Sequence, residues 1–161
     1  LEHTFFVDLN SYFENAQYSS ISIVGSTGTV SDNRIVIQKS INNTQLIYQV
    51  RSGGSTTATE TFSNIDFSVK QKLAVTVKEN EVKYYRNGFL IGTDTGTLAL
   101  PVSLGQLALN GGVSFNDGEK FFGDTKDIRY YNQVLTEAET LELMSYDSFN
   151  EMASALQYTI K

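Results

Sequence analysis

"KLAVTVKENEVKYYRNGFLIGTDTG" (72–96) decides the reading of this chain. Leu73, Val75 and Val77 alternate with Ala74, Thr76 and Lys78, the period of a half-buried strand. "KENE" turns the chain, "VKYYR" returns it, and Asn87-Gly88 turns it again. Asn-Gly between two strands is a strong hairpin signal, because both residues accept the positive φ of a tight turn. "FLIGT" follows, so the stretch is expected to be a meander of three antiparallel strands.

Working outward, "TFFVDL" (4–9), "SSISIVG" (19–25), "NRIVIQK" (33–39) and "QLIYQV" (45–50) are rich in strand formers and bounded by turn residues. In "RIVIQ", Ile35 and Ile37 share one face and Val36 takes the other, so that strand is expected to be covered on both sides. Ser, Thr and Asn supply 44 of the 161 residues, Phe and Tyr 19, and Pro occurs once, at Pro101. That is the composition of many short strands joined by polar turns. From Thr136 the period changes. Thr136-x-x-Glu139 and Ser148-x-x-Glu151 are capping boxes. Ala138, Leu141 and Met144 follow the first at helical spacing, and Phe149, Met152, Ala153 and Leu156 form one stripe after the second. Residues 136–157 are therefore expected to close a single domain spanning 1–161 as a helical clasp.

The residues Tyr85-Arg86-Asn87-Gly88, Leu107-Ala108-Leu109, Gly123, Asp127-Ile128-Arg129-Tyr130-Tyr131, Leu135-Thr136 and Glu139 stand in a recognisable order. The pattern resembles the laminin-G-like members of the concanavalin A-like lectin/glucanase superfamily. It is close over roughly residues 70–145 and only a likeness of style before that. The resemblance implies an all-β, two-sheet antiparallel jelly-roll sandwich with one or two short C-terminal helices. It also implies that "DIRYY" returns to the back sheet, where the helix after it packs. Tyr130, Tyr131, Phe121 and Phe122 are then expected to serve core and sheet packing. "KDIRYYNQVLT" and the tail "YDSFNEMASALQYTIK" look most like such domains in bacteriophage tail and fibre proteins.

Composition excludes several classes of function. The net charge is −6, and residues 136–161 hold five acids against one base, leaving 13 acids and 11 bases elsewhere. No Lys/Arg cluster could neutralise several phosphates, so nucleic acid is not an expected partner. Apolar runs are only a few residues long, so insertion into a membrane is not expected either. With no cysteine, neither a disulfide nor a thiolate metal site can form. The chain starts at Leu1 with neither a methionine nor a signal peptide, and reads as a piece of something longer.

The single histidine, His3, reads as terminal sequence, which leaves no histidine in the body for a catalytic triad or a lyase site. Sandwich glucanases present paired carboxylates on one strand, and retaining hydrolysis needs them about 5–5.5 Å apart. Glu79 and Glu81 have the i, i+2 spacing of one strand face, but they sit in the polar "KENE" turn. An enzyme is therefore not expected, and no cofactor is required. Calcium is the candidate cation, since hard cations take carboxylate, amide and carbonyl oxygens. Asp94 and Asp117 are its candidate ligands. For sugar, two polar Gly-containing loops stand out, "RSGGSTTATE" (51–60) and "GGVSFNDGE" (111–119). With the adjoining Asn110, they nominate Arg51, Ser55, Asn110, Phe115, Asn116 and Asp117 as ligand contacts.

Three readings follow. The first is a non-catalytic lectin-like domain of a phage tail or fibre that attaches to bacterial cell-surface polysaccharide or another receptor. It would act in the virion or outside the cell, as a trimer if in a fibre. The second is a structural or oligomerisation module of a virion protein, motivated by the amphipathic C-terminal helices. The third is a glucanase-like hydrolase, which two or three carboxylates on one sheet face would revive.

Overall fold

The expected strands pair into two antiparallel sheets. The computed structural model describes residues 2–12, 17–25, 32–109 and 120–146, together with 151 and 154. Its strands are β1 (His3–Tyr12), β2 (Ser19–Gly25), β3 (Arg34–Lys39), β4 (Leu46–Ser52), β5 (Ser55–Phe62), β6 (Gln71–Lys78), β7 (Glu81–Arg86), β8 (Phe89–Thr95), β9 (Leu104–Ala108) and β10 (Gly123–Tyr131), followed by the helix α1 (Glu137–Ser145). The first sheet has the order β10-β1-β6-β7-β8 and the second β5-β4-β3-β2-β9. This is the two-sheet sandwich that the sequence pattern implied.

The 72–96 stretch forms the meander β6-β7-β8, with turns at Glu79-Asn80 and Asn87-Gly88. Asn87 and Gly88 both take positive φ, 49° and 81°. Phe5, Val7, Leu73, Val75, Val82 and Tyr84 face inward from the first sheet. Ile21, Ile23, Ile35, Ile37, Leu46 and Tyr48 meet them from the second. Tyr48 ties the layers together. Its ring lies 5.2 Å from that of Tyr84, and its hydroxyl donates to Tyr85 O at 2.7 Å. Burial pushes the Tyr48 phenol well up, so it stays a donor.

The sandwich has a second, smaller core. Phe6, Ala74 and Tyr85 point outward from the first sheet, and Leu143 and Met144 of α1 cover them. The capping box starts the helix as expected: Glu139 N donates to Thr136 Oγ1 at 3.2 Å, and Thr136 N to Glu139 Oε2 at 2.7 Å. The buried stripe is Thr140, Leu143 and Met144. It is not the expected Ala138, Leu141 and Met144, because Ala138 is exposed and Leu141 only partly covered. Two stripes one step apart were open in this sequence, and the contact with Phe6 and Tyr85 selects the one carrying Leu143. Of the second expected helix, Glu151 and Ser154 are helical and exposed. Ser148, Phe149, Met152, Ala153 and Leu156 lie outside the described residues.

Two further expectations are corrected. Residues 51–60 are not a loop: β4 runs through Ser52, Gly53-Gly54 turn at φ of 56° and 82°, and β5 begins at Ser55. A two-residue turn with positive φ throughout is the tight hairpin that paired glycines favour. His3 is not loose terminal sequence. It is 1% exposed, it opens β1 opposite Val77, and its ring stacks on Tyr130. Its Nε2 lies 3.2 Å from Pro101 O and its Nδ1 2.7 Å from Tyr130 Oη. Nε2 therefore donates to the carbonyl, and Nδ1 accepts from the phenol. The aromatic expectation holds in part. Phe121 and Tyr130 pack on the main core and Tyr131 on the smaller one, while Phe122 is exposed.

Candidate functional site

The period of a strand gives the second sheet an outer face as well as a core face. Register fixes which residues share it. Arg34, Val36 and Gln38 of β3 lie opposite Arg51, Gln49 and Ile47 of β4. Gln49 and Ile47 in turn lie opposite Thr59 and Thr61 of β5. With Tyr18, these side chains line an open groove of about 420 Å³. Its lining is amide, hydroxyl and guanidinium, with Val36 and Ile47 as an apolar strip.

Internal hydrogen bonds hold several of these groups in place. Arg34 Nη2 donates to Gln49 Oε1 at 2.8 Å, Gln38 Nε2 to Ser20 Oγ at 2.7 Å, and Thr59 Oγ1 to Tyr48 O at 3.2 Å. Arg34 and Val36 of the lining are buried, as are Ser20, Ser22 and Val24, which lie opposite Gln38, Val36 and Arg34 on β2. Tyr18 stands at the edge, 37% exposed.

Charge is the distinctive feature. Arg34 and Arg51 are direct cross-strand partners. Side chains so placed leave Cβ atoms about 4.5–5.5 Å apart, and like charges there repel. Arg51 also donates to Gly54 O in the hairpin turn, and its Nε is buried with no hydrogen-bond partner among the described residues. Among the described residues no carboxylate lines the groove. The arrangement can receive an anion and a set of hydroxyls. Its described residues do not include the paired carboxyls of glycoside hydrolysis.

The candidate residues from the sequence are scattered. Arg51 is brought beside the groove by its pairing with Arg34. Ser55 is an exposed residue at the start of β5, opposite Ser52 in the hairpin. Asn110, Phe115, Asn116 and Asp117 lie outside the described residues. Asp94 belongs to the other sheet, opposite Val82, and accepts a 2.6 Å hydrogen bond from Tyr84 Oη. Burial, and then Asp94 itself, pushes the Tyr84 phenol up. Among the described residues no group of three Asp, Glu or His side chains could hold a metal. The described surroundings of Asp94 thus offer a phenol where calcium would want more carboxylates. Glu79 and Glu81 sit at the β6–β7 turn, with Glu81 2.9 Å from Lys78 Nζ.

The family model of the concanavalin A-like lectin/glucanases superfamily matches residues 6–140. The chain belongs to this superfamily. No curated protein sequence matches it. The CBM40 domain of the Ruminococcus gnavus IT-sialidase, solved with α2,3-sialyllactose, superposes with a TM-score of 0.71 at 18% identity, covering 89% of this chain and 83% of that one. A SAP-like pentraxin from Limulus polyphemus gives 0.70 at 14% identity, covering 92% and 71%. The leech intramolecular trans-sialidase gives 0.69 at 17% identity, covering 92% of this chain but 24% of the enzyme. At these identities the likeness is one of fold.

The groove residues were missed in the sequence. Their one signal is the set of polar positions at 34, 38, 49, 59 and 61 within β-rich segments.

Proposed function

We propose that this domain binds carbohydrate on the outer face of its second sheet, and that its preferred ligand carries a carboxylate or another acidic group. The observation that carries the reading is the Arg34–Arg51 pair beside a groove lined by amides and hydroxyls. Arg offers paired donors that suit a carboxylate. Gln38, Gln49, Thr59 and Thr61 offer hydrogen bonds to hydroxyls, while Val36 and Ile47 meet the C–H face of a ring. The sialyllactose bound by the CBM40 domain of like fold supports this class of ligand.

The sequence resemblance supports a setting outside the cell, in a phage tail or fibre, with bacterial surface polysaccharide as the target. Binding at one open groove is weak, and repeated copies, three in a fibre, would supply avidity. A protein-contact role is the second reading, favoured by Phe89, which is 71% exposed on the β7–β8 hairpin beside the exposed Leu90.

Calorimetry with sialyllactose, lactose and a uronic-acid oligosaccharide tests the proposal. Acidic ligands should bind and lactose should bind far more weakly. Arg34→Gln should cost about ten- to hundredfold in affinity, the worth of a charge-assisted contact. Equal affinity for neutral and acidic ligands, or an unaffected Arg34→Gln, would overturn the acidic-ligand reading.

A further inference from the structure

The two ends of the groove on the second sheet differ in kind. Register orders its lining along the strands. Arg34 lies opposite Arg51 at one end, Val36 opposite Gln49 in the middle, and Gln38 opposite Ile47 at the other end. Thr59 and Thr61 keep the same order on β5, opposite Gln49 and Ile47. On β2, Ser20 lies opposite Gln38, and Tyr18 stands two residues further from the Arg34 end. Arg34 and Gln38 are four residues apart on β3, about 13 Å at the rise of a strand, and Tyr18 lies beyond that.

The chemistry follows this order. Among the described residues that line the groove, Arg34 is the one charged side chain, and Arg51 puts a second guanidinium beside it. Both stay charged at any ordinary pH. The far end holds Gln38, Ile47, Thr61 and Tyr18, all neutral. Tyr18 is 37% exposed, Thr61 is exposed and Ile47 is half-buried, so this end has surface to offer. The Tyr18 ring and Ile47 supply its apolar part, and Thr61 a hydroxyl. Gln38 Nε2 donates to Ser20 Oγ at 2.7 Å, which leaves the amide oxygen of Gln38 as an acceptor. An accessible aromatic ring with a hydroxyl and an amide at the same end matches the mixed surface of a neutral sugar, whose ring faces are C–H and whose edge is hydroxyl.

A single acidic ring cannot use both ends. Its carboxylate is carried on the ring itself, and the molecule is shorter than the distance from the guanidiniums to Tyr18. With the carboxylate held at the arginines, the ring lies over the middle of the groove and stops short of the aromatic end.

We propose, on the acidic-ligand reading of this groove, that it has a direction, and that it selects an oligosaccharide with an acidic unit at one end and a neutral unit at the other. The acidic unit lies at Arg34 and Arg51, and the neutral ring covers Tyr18 and Ile47. The ligand runs along the strands one way round, and an acidic monosaccharide fills only part of the groove.

The test is a titration of the intact chain with sialyllactose and, separately, with the methyl α-glycoside of N-acetylneuraminic acid, read from backbone amide shifts. Arg34→Gln, Tyr18→Ala and Tyr18→Phe are run beside wild type. The acidic monosaccharide should shift the amides of residues 34–36 and 49–51 and leave those of Tyr18, Gln38 and Thr61 in place. Sialyllactose should shift both sets. It should also bind about five- to tenfold more tightly, the effect of covering roughly 50 Å² more apolar surface. Tyr18→Ala should remove most of that difference between the two ligands, and Tyr18→Phe, which keeps the ring, should retain it. Arg34→Gln should weaken both ligands. Monosaccharide shifts that reach Tyr18, equal affinity for the two ligands, or a Tyr18→Ala chain that keeps the full difference would overturn the direction and leave the acidic-ligand reading standing. Binding of neither ligand, or binding of both that Arg34→Gln does not weaken, would overturn that reading and the direction with it.

Discussion

The outer faces of the two sheets are built from the same alternation and end differently. On the first sheet the outer positions carry Phe6, Ala74 and Tyr85, and α1 lays Leu143 and Met144 over them. On the second, Gln38, Gln49, Thr59 and Thr61 line an open groove over β3–β5, while Arg34, Val36 and the β2 residues Ser20, Ser22 and Val24 on the same face are buried. An apolar outer face needs a cover, and the capped helix after "DIRYY" supplies it. A polar outer face is stable without one. The covered face therefore contributes to stability, while the open face is free to serve a ligand.

That contrast can be broken at several strengths. Removing an inner side chain should do the most harm. Ile37→Ala, at a fully buried core position, should cost about 3–4 kcal/mol in urea unfolding, from lost transfer energy plus a cavity. On the covered outer face, Leu143→Ala should cost about 2 kcal/mol, because the helix is anchored on one side only. Thr136→Ala should cost about 1 kcal/mol by removing the cap of that helix. On the open face, Thr61→Ala should stay within about 0.5 kcal/mol of wild type, the usual range for surface positions. A large loss there would make the open face structural and remove the distinction.

His3 adds a pH-dependent test at the start of β1. Burial lowers its pKa, against the Pro101 contact. The unfolded chain then binds a proton that the folded chain refuses. Its contribution is fully present above the unfolded pKa of about 6.5 and is lost as pH falls from there towards the lowered folded value. Wild type should lose more stability than His3→Gln between pH 7.5 and 5, read as the difference between their thermal midpoints at the two pH values. Equal losses would place the pH sensitivity in other groups.

Much of this fold was legible before any coordinates. The 72–96 meander is carried by strict alternation and by Asn87-Gly88, both local signals, and the capping box at Thr136 is equally local. β5 was hidden because "STTATETF" buries only Ala58 fully and carries Thr where most strands carry Ile or Val. The two glycines before it read as a loop when they are a two-residue turn. His3 was hidden because a single residue has no period, and its partners, Pro101 and Tyr130, are about a hundred residues away or more. The groove was the least legible feature. Arg34 and Arg51 become neighbours only once β3 and β4 pair in register. Which outer face stays open depends on where α1 lands.

The central claim is that the open face of the second sheet is the ligand face. The most direct test is a titration of the domain with sialyllactose, mapped by backbone amide shifts. The account predicts shifts concentrated at residues 34–38, 47–51 and 59–61, abolished by Arg34→Gln while the spectrum of the rest of the domain is kept. Shifts centred instead on the covered face, around Tyr85 and α1, or on the exposed Phe89 hairpin, would contradict it.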